Sequence, residues 1–335
     1  MLPVAELHIH IEGTLEPELL VKLARRNGTW MPTLEVDELR AQYRFDGLQS
    51  FLDLYYANLR VLKIEQDFYD LARTYLARAA TAGVRRAEIF FDPQTHLANG
   101  VPLGEVFGGL TAALADGARD DGISAELIPC FRRDLGTDAA DAVLRACLPF
   151  RDQFIGVGLD SAEVGYPPSL FTEVYKLAAA EGLRLVAHAG EEGGPDYVRE
   201  ALDLLGVERV DHGVRSMEDP GLVARLRDER IALTVCPLSN MALRVVDALG
   251  DHMLPDMLDA GLLATVNSDD PAYFGGYVDD NLAAVRQAFG YHDAQLAALA
   301  RNSFEACFAP EADKLRWKAE VDSWLAASTA SNAAS

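Results

Sequence analysis

The sequence predicts a single (β/α)8 barrel, with a helical insertion after the first strand and extra helices at the C-terminus. Short apolar segments alternate with helical patterns, which indicates a parallel sheet with right-handed crossovers. Eight such units favour a closed barrel over an open doubly wound sheet. The 335 residues leave room for an insertion beyond a typical barrel of ~250 residues. No Gly-x-Gly-x-x-Gly follows the first strand, which argues against dinucleotide binding.

The elements follow one another in a regular order. In the first strand, Leu7, Ile9 and Ile11 alternate with His8, His10 and Glu12, so the polar side chains share one face. Residues 14–82 look helical and are long enough to cover the barrel mouth. The later strands are predicted at 86–92, 123–131, 154–161, 183–189, 209–213, 231–237 and 263–269, and the helices between them at 103–120, 138–147, 168–181, 196–205, 220–229 and 253–260. Residues 1–325 then form one domain, and the small, polar segment 326–335 is expected to be a disordered tail.

Composition narrows the possible partners. The formal charge of 30 − 52 = −22 disfavours nucleic acid and anionic membranes. Four scattered cysteines without a Cys-x-x-Cys argue against a cysteine zinc finger and a disulfide framework. No membrane span and no signal peptide are expected, which predicts a cytoplasmic protein. The sequence leaves the oligomeric state open.

Polar and titratable residues collect where the predicted strands end, and that is where parallel barrels hold their catalytic groups. These residues are His8, His10, Asp160, Glu163, His188, Glu191, Asp211, His212, Cys236, Asn240, Asn267, Asp269 and Asp270. The remaining histidines, His96, His252 and His292, fall in loops or helices and are predicted to be surface residues.

A catalytic zinc or iron site needs several protein ligands and an open position for water. His8 and His10 supply two imidazoles, His188 a third and Asp269 a carboxylate. Glu191, three residues after His188, is the candidate acid. His212, on the next strand, could orient or deprotonate the water.

At these positions the chain resembles the adenosine/adenine deaminase family of the amidohydrolase superfamily. Four separate motifs occur in the family's order, within residues 4–275: Glu6-Leu7-His8-Ile9-His10-Ile11-Glu12-Gly13, His188-Ala189-Gly190-Glu191, Asp211-His212-Gly213 and Ser268-Asp269-Asp270-Pro271. The resemblance implies the barrel fold, one zinc per subunit (with iron as an alternative) and hydrolytic loss of ammonia from carbon 6 of a purine. The segment 159–163 has no lysine, which favours one metal over two.

The resemblance also implies a role for each matching residue. His8, His10, His188 and Asp269 are similar to the zinc ligands of the family. Glu191 is similar to the acid that protonates ring nitrogen 1, and His212 to the residue that orients and activates the attacking water. Asp270 is similar to the carboxylate that hydrogen-bonds ring nitrogen 7.

Two residues bear on the substrate. Nucleoside-acting relatives usually carry Asp at the position of Glu12 and glycine near the position of Glu163. A carboxylate there could accept the N–H of the five-membered ring of free adenine and reject a substituted nitrogen. Glu12 and Glu163 are therefore predicted to contact the substrate, and the sequence most resembles the adenine-acting branch, which converts adenine to hypoxanthine in purine salvage.

Other functions remain as alternatives. The enzyme could deaminate a larger 6-aminopurine, such as adenosine, an N6-substituted adenine or aminodeoxyfutalosine. A barrel that binds a purine without turnover is a second alternative, although binding alone needs no proton donor beside a metal. A nucleic-acid base deaminase is disfavoured, because those enzymes use a Pro-Cys-x-x-Cys motif and Cys236 has no such partner.

Overall fold

The protein was described by a computed structural model that covers residues 1–333 and contains one eight-stranded parallel sheet. Each strand pairs with the next along the chain, as a (β/α)8 barrel requires. The strands are β1 Val4–His10, β2 Val84–Phe91, β3 Ser124–Arg132, β4 Gly156–Asp160, β5 Arg184–Ala189, β6 Arg209–His212, β7 Ala232–Val235 and β8 Leu263–Val266. All eight lie at the predicted places, and the predicted fold class is confirmed.

The first and last strands meet beside the predicted ligands. Ile9 forms a parallel bridge with Asp269, just after β8. The His10 N–H donates to the Asp269 carbonyl at 3.0 Å, and the Asp269 N–H donates to the His8 carbonyl at 3.0 Å. Closure of the barrel therefore brings β1 and the residues after β8 together at its C-terminal end.

Helices surround the barrel and cover its mouth. Their bounds are α1 Pro17–Asn27, α2 Val36–Arg40, α3 Leu48–Asn58, α4 Glu65–Ala82, α5 Pro93–Ala98, α6 Leu103–Asp120, α7 Thr137–Cys147, α8 Thr172–Ala180, α9 Pro195–Glu200, α10 Pro220–Asp228, α11 Pro237–Ala242, α12 Leu254–Asp259, α13 Pro271–Phe274, α14 Val278–Phe289, α15 Asp293–Ala306 and α16 Glu311–Ala333. A π-helical turn, Ala201–Leu205, continues α9. Within the described residues, no helix is long and apolar enough to cross a membrane.

The insertion after β1 consists of four helices, α1 to α4, joined by short non-helical links. Phe51, Leu52 and Tyr55 of α3 are buried over the barrel mouth. These residues therefore belong to the hydrophobic core and also cover the site. We call the helix α3, Leu48–Asn58, the α3 lid.

The last helix runs further than the sequence suggested. Residues 326–333, predicted as part of a disordered tail, continue α16, while 334–335 lie outside the described residues. Trp317 and Val321 bury the earlier turns of this helix against the barrel. Once a helix has formed, extending it through alanine-rich sequence costs little, because alanine has the highest helix propensity.

Candidate active site

The side chains of β1 form the floor of the site. His8 and His10 both point into the barrel and are 0% and 6% exposed. The alternation ends after the strand, because Glu12 lies in a 3-10 turn, Glu12–Thr14, and no longer follows the strand period. The two imidazoles therefore share one direction, as predicted, and Glu12 takes another.

His8, His10, His188 and Asp269 converge on one point. One ligand atom from each lies within 4.8 Å of the others. The Oδ1 atom of Asp269 is 3.2 Å from Nε2 of His8 and 3.5 Å from Nε2 of His10. Nε2 of His10 is in turn 3.2 Å from Nε2 of His188. Three imidazole nitrogens and a carboxylate oxygen at such spacing match the donor set of a catalytic divalent metal.

The outer ring nitrogens of these histidines face oxygen atoms. Nδ1 of His8 lies 3.2 Å from the Thr234 carbonyl oxygen, while the Thr234 hydroxyl donates to Asp211 at 2.8 Å. Nδ1 of His188 is 3.7 Å from Asp211 Oδ2, and Nδ1 of His10 is 3.8 Å from Asp160 Oδ2. Partners on the outer nitrogen leave Nε2 free to bind a metal.

The electrostatics of the four residues suit a cation. Burial lowers the pKa of His10, and burial together with the neighbouring imidazoles lowers the pKa of His188 well below its usual value. Burial alone would raise the pKa of Asp269, but the nearby imidazoles of His8 and His212 outweigh it and hold that pKa well below the usual range. Burial alone would lower the pKa of His8, but the Asp269 carboxylate outweighs it and raises that pKa, so a metal would have to displace a proton there. The lowered pKa values of His10, His188 and Asp269 already favour the forms that bind a metal.

A second group, formed by His8, His212, Cys236 and Asp269, also lies within 4.8 Å. The Cys236 Sγ atom donates towards the Thr234 carbonyl at 3.6 Å, and burial raises the pKa of its thiol well above the usual value. A metal ligand must be a thiolate, so the set with three imidazoles fits a metal better.

Glu191 and His212 face each other beside this set. Nε2 of His212 lies 3.5 Å from Oε2 of Glu191 and 4.0 Å from Oδ2 of Asp269. Burial, followed by the charges of Asp269 and Glu163, raises the pKa of the Glu191 carboxyl well above its usual range. Burial lowers the pKa of His212 to about 3. The raised pKa of Glu191 favours its protonated form, and the low pKa of His212 favours its neutral form, which suits an acid and a base.

The backbone is strained at two of these positions. His212 and Asp269 have φ angles of 62° and 63°, in the left-handed region that residues other than glycine seldom adopt. Such strain persists where the surrounding structure holds it, and it is common at functional sites.

Asp270 lines the same cavity, and its Oδ1 atom is buried without a hydrogen-bond partner. Burial, followed by the charge of Asp269, raises the pKa of this carboxyl group well above its usual value. A Cβ atom at Gly13 would lie 2.1 Å from Asp270 Oδ1, so only glycine fits there. Gly13, in the first sequence motif, therefore leaves the space that Asp270, in the last motif, occupies.

The structure gives Glu12 and His96 a different arrangement from the predicted one. Glu12 Oε1 accepts the Asp92 N–H at 2.9 Å and lies 2.8 Å from Nε2 of His96. Glu12 is not among the residues that line the cavity. The prediction that His96 is a surface residue is wrong, because α5 folds back over the barrel end and buries it completely.

His252 is also buried, contrary to the prediction of a surface position. It is 4% exposed, its Nδ1 accepts the Leu254 N–H at 3.0 Å, and its Nε2 lies 3.1 Å from the Asn240 side-chain oxygen. His292 is exposed, as expected.

Glu163 does not face the cavity either, so its predicted contact with the substrate conflicts with the geometry. Its carboxylate accepts four backbone N–H groups from the loop after β5: those of Gly190 (2.6 Å), Glu191 (3.1 Å), Glu192 (2.8 Å) and Gly193 (2.8 Å). A Cβ atom at Gly193 would lie 2.8 Å from Glu163 Oε1, which explains the glycine. The carboxylate therefore fixes the loop that carries Glu191.

Sequence reasoning missed Asp92 and gave no role to Asp160. They end β2 and β4, both are buried, and both line the cavity. Burial raises the pKa of both groups, and the adjacent carboxyl group raises that of Asp160 further. Asp92 ends a predicted strand, so its position was the available signal.

The cavity encloses about 390 Å³ between atoms, part of it open to solvent. Its walls combine the polar groups of the strand ends with the apolar lid: His10, Leu48, Phe51, Leu52, Tyr55, Tyr56, Asp92, Asp160, Ser161, His188, Glu191, His212, Leu243, Asp269 and Asp270.

A parallel barrel with a divalent-metal site and an acid–base pair at its C-terminal end defines a metal-dependent hydrolase of the amidohydrolase type. The profile of the adenosine deaminase family matches residues 3–324. The chain belongs to the adenosine/adenine deaminase family, as the sequence motifs predicted.

Several proteins similar to this chain are adenine deaminases. The adenine deaminase of Streptomyces coelicolor is 61% identical over 325 residues, which cover 96% of each chain. That of Rhodospirillum rubrum is 56% identical over 320 residues, with 96% of each chain covered. The crystal structure of an adenine deaminase from Arthrobacter aurescens is 54% identical, with a TM-score of 0.96 over 97% of this chain and 99% of that one. An amidohydrolase from Burkholderia ambifaria with bound Zn is 31% identical, with a TM-score of 0.92 over 100% of this chain and 93% of that one.

Proposed function

We propose that residues 1–325 form one catalytic domain that hydrolyses adenine to hypoxanthine and ammonia, with one zinc ion per chain. The observation that carries this proposal is the buried Glu191 carboxyl group, 3.5 Å from His212 and beside the four metal-binding residues. The names of the relatives at 53–61% identity support adenine as the substrate.

His8, His10, His188 and Asp269 would hold the metal, and their donor atoms suit zinc. A divalent cation supplies Lewis acidity there, which makes water nucleophilic near neutral pH. Ser239 donates to Asp269 Oδ2 at 2.7 Å and so orients the carboxylate. The zinc-bound amidohydrolase relative favours zinc over iron.

The other residues would handle the protons of the reaction. Glu191 donates its proton to ring nitrogen 1, which makes carbon 6 more electrophilic. His212 accepts a proton from water as its oxygen bonds to carbon 6. The exocyclic amine takes the proton from His212 and leaves as ammonia when the C–N bond breaks. The hydroxyl group on carbon 6 then becomes the carbonyl of hypoxanthine, and its proton returns to the Glu191 carboxylate. Burial and the charge of Asp269 raise the pKa of Asp270, which favours the protonated carboxyl group that would donate a hydrogen bond to ring nitrogen 7.

The cavity is better suited to a free base than to a nucleoside. Tyr56 of the α3 lid donates to Ser161 at 3.2 Å and so joins the lid to the end of β4. The Arg132 guanidinium lies 3.5 Å from the centre of the Tyr56 ring. A ribose is an additional group for which this contact would have to open, and a bare purine lacks it.

The direct test is substrate comparison with the purified, zinc-loaded enzyme. Formation of the 6-oxopurine, which also reports substrates that release methylamine in place of ammonia, should show the highest kcat/KM for adenine, and lower values for adenosine, N6-methyladenine and aminodeoxyfutalosine. Faster turnover of any of these would assign the enzyme to that larger 6-aminopurine. Tight purine binding without ammonia release would instead indicate a binding protein, a result that the adjacent Glu191 and His212 speak against.

A further inference from the structure

Asp92 and Asp160 have no part in the proton transfers above, yet they face the cavity. They are 1% and 3% exposed, and the Oδ1 atom of each is buried without a hydrogen-bond partner while both carboxyl groups are ionised. When one of them is protonated, the two carboxyl groups hydrogen-bond each other, and the other still offers an acceptor oxygen to the cavity. Leaving a buried carboxylate oxygen unpaired is costly, so a ligand that supplies a donor would be favoured. Both residues line the cavity that also holds Glu191 and Asp270.

The strand order determines which part of a purine they would meet. Glu191 follows β5 and Asp270 follows β8. In a purine, ring nitrogens 1 and 7 lie on either side of carbon 6. If Glu191 binds nitrogen 1 and Asp270 binds nitrogen 7, carbon 6 faces the part of the barrel from β5 to β8, where His212 lies. The opposite edge of the purine, with nitrogens 3 and 9, then faces the arc from β1 to β4. Asp92, after β2, and Asp160, at the end of β4, stand on that arc.

We propose that Asp92, with Asp160 beside it, accepts the N–H of the five-membered ring of a free purine and so selects the free base over nucleosides. This inference rests on the proposed function, because it uses the orientation that deamination at carbon 6 requires. A nucleoside or a 9-methylpurine has no N–H at that nitrogen. Its binding would leave the buried oxygen of Asp92 unpaired, and sites built in this way reject such analogues strongly.

The rest of the structure supports the assignment of this role to Asp92. The two glutamates predicted to contact the substrate do not line the cavity. Glu163 accepts four backbone N–H groups, and Glu12 Oε1 lies against His96, while Glu12 Oε2 is buried without a partner outside the cavity lining. The backbone N–H of Asp92 donates to Glu12 at 2.9 Å, which fixes the residue against the end of β1. Glu12 can therefore influence the edge of the purine with nitrogens 3 and 9 only by positioning Asp92.

His10, Asp92 and Asp160 also lie close enough together to hold a cation. However, Nε2 of His10 points to Asp269 and the metal set, so only its other ring nitrogen faces these carboxyl groups. One neutral imidazole cannot serve two metals through both nitrogens. We therefore assign Asp92 and Asp160 to substrate binding, and the experiment below also measures the metal content of each variant.

The test compares Asp92→Ala and Asp92→Asn with the wild type. Equilibrium binding of purine and 9-methylpurine to the zinc-loaded proteins is measured by calorimetry, and kcat/KM is measured for adenine and 9-methyladenine. Asp53→Asn, an exposed carboxylate on the outer face of the α3 lid, is the control that removes an equal charge nearby. Zinc content and Tm are recorded for every variant.

Wild type and Asp53→Asn should prefer the compounds with a free N–H. Asp92→Ala should lose about 10- to 100-fold in binding of purine and in kcat/KM for adenine, with the values for 9-methyl compounds unchanged or higher. Asp92→Asn should fall between, because its amide oxygen still accepts. Unchanged discrimination in Asp92→Ala, or two metal ions per wild-type chain of which Asp92→Ala loses one, would overturn the inference. Failure of the wild type to release ammonia from adenine would overturn the proposed function instead, and the binding comparison would still decide the role of Asp92.

Discussion

Glu163 accepts a hydrogen bond of 3.1 Å from the backbone N–H of Glu191, the residue assigned as the acid. The same carboxylate binds three further N–H groups of that loop. Its charge also raises the pKa of the Glu191 carboxyl group, after burial and Asp269. Glu163 is therefore a positioning residue that influences both where the acid stands and whether it is protonated.

Replacing Glu163 with Gln should lower kcat for adenine about 10- to 100-fold and change KM less, because the acid loses its fixed position. Removing the negative charge lowers the pKa of Glu191, so the alkaline limb of kcat should move to lower pH. The measurement is the pH profile of ammonia release, with zinc content recorded. Glu173→Gln, an exposed carboxylate on α8, is the control. If kcat falls but the alkaline limb of its pH profile does not move, the role of Glu163 is purely structural.

Replacing Glu191 with Gln should abolish measurable turnover, because the amide cannot donate the proton that ring nitrogen 1 needs. A loss of at least ~10²–10⁴-fold is expected for removal of a general acid. In the wild type, kcat should be constant below the raised pKa of Glu191 and fall as the pH rises through it. Zinc content should be unchanged, and Glu192→Gln on the same loop serves as the control. Retained activity in Glu191→Gln would remove the role assigned to this residue.

Chelation of the metal should abolish ammonia release, and added Zn²⁺ should restore it. Asp269→Asn should bind the metal more weakly, because a neutral amide replaces the carboxylate ligand. Zinc content after dialysis measures this effect directly, with Asp259→Asn on the surface as the control. Full activity in the metal-free protein would contradict a metal-dependent reaction.

Much of the fold was predictable because its signals are local. The apolar run Ile231–Val235 is short and is followed by Cys236-Pro237, and β7 lies there as Ala232–Val235. In a parallel barrel, strand ends meet at one rim, so the sequence alone could group His8, His188 and Asp269. The length of α16 was missed because burial of Trp317 is a tertiary effect that composition does not show.

The partners of polar side chains beyond the strand ends were less predictable. Glu12 leaves the strand period in its 3-10 turn, and its partner His96 lies on a different element. Glu163 is satisfied by backbone N–H groups, which carry no side-chain signal. The run Gly190 to Gly194 was the available hint, since a glycine-rich loop with free N–H groups needs a nearby acceptor.

The last prediction concerns the opposite end of the barrel. Glu88 is fully buried and accepts hydrogen bonds from Arg209 at 2.5 Å, Arg86 at 3.1 Å and the Phe308 N–H at 2.6 Å. Burial alone would raise the pKa of Glu88, but Arg209 and Arg86 outweigh it and lower that pKa. The resulting stability is present above the pKa of the unfolded chain and is lost as the pH falls through the folded pKa.

Glu88→Gln should therefore lower the free energy of unfolding by about 3–5 kcal/mol near neutral pH, because it removes the carboxylate nearest to two buried guanidinium groups, whose other carboxylates lie 3.7 Å and 3.9 Å away. The difference from the wild type should shrink as the pH falls below the ordinary glutamate pKa of about 4.3 and through the lowered pKa of folded Glu88, because Glu88 of the wild type then becomes protonated. Urea unfolding across this range measures both effects. Glu126→Gln, a partly exposed carboxylate 3.9 Å from Arg86, should cost about 1 kcal/mol or less. A difference between Glu88→Gln and wild type that does not vary with pH would show that shape, and not charge, makes Glu88 necessary.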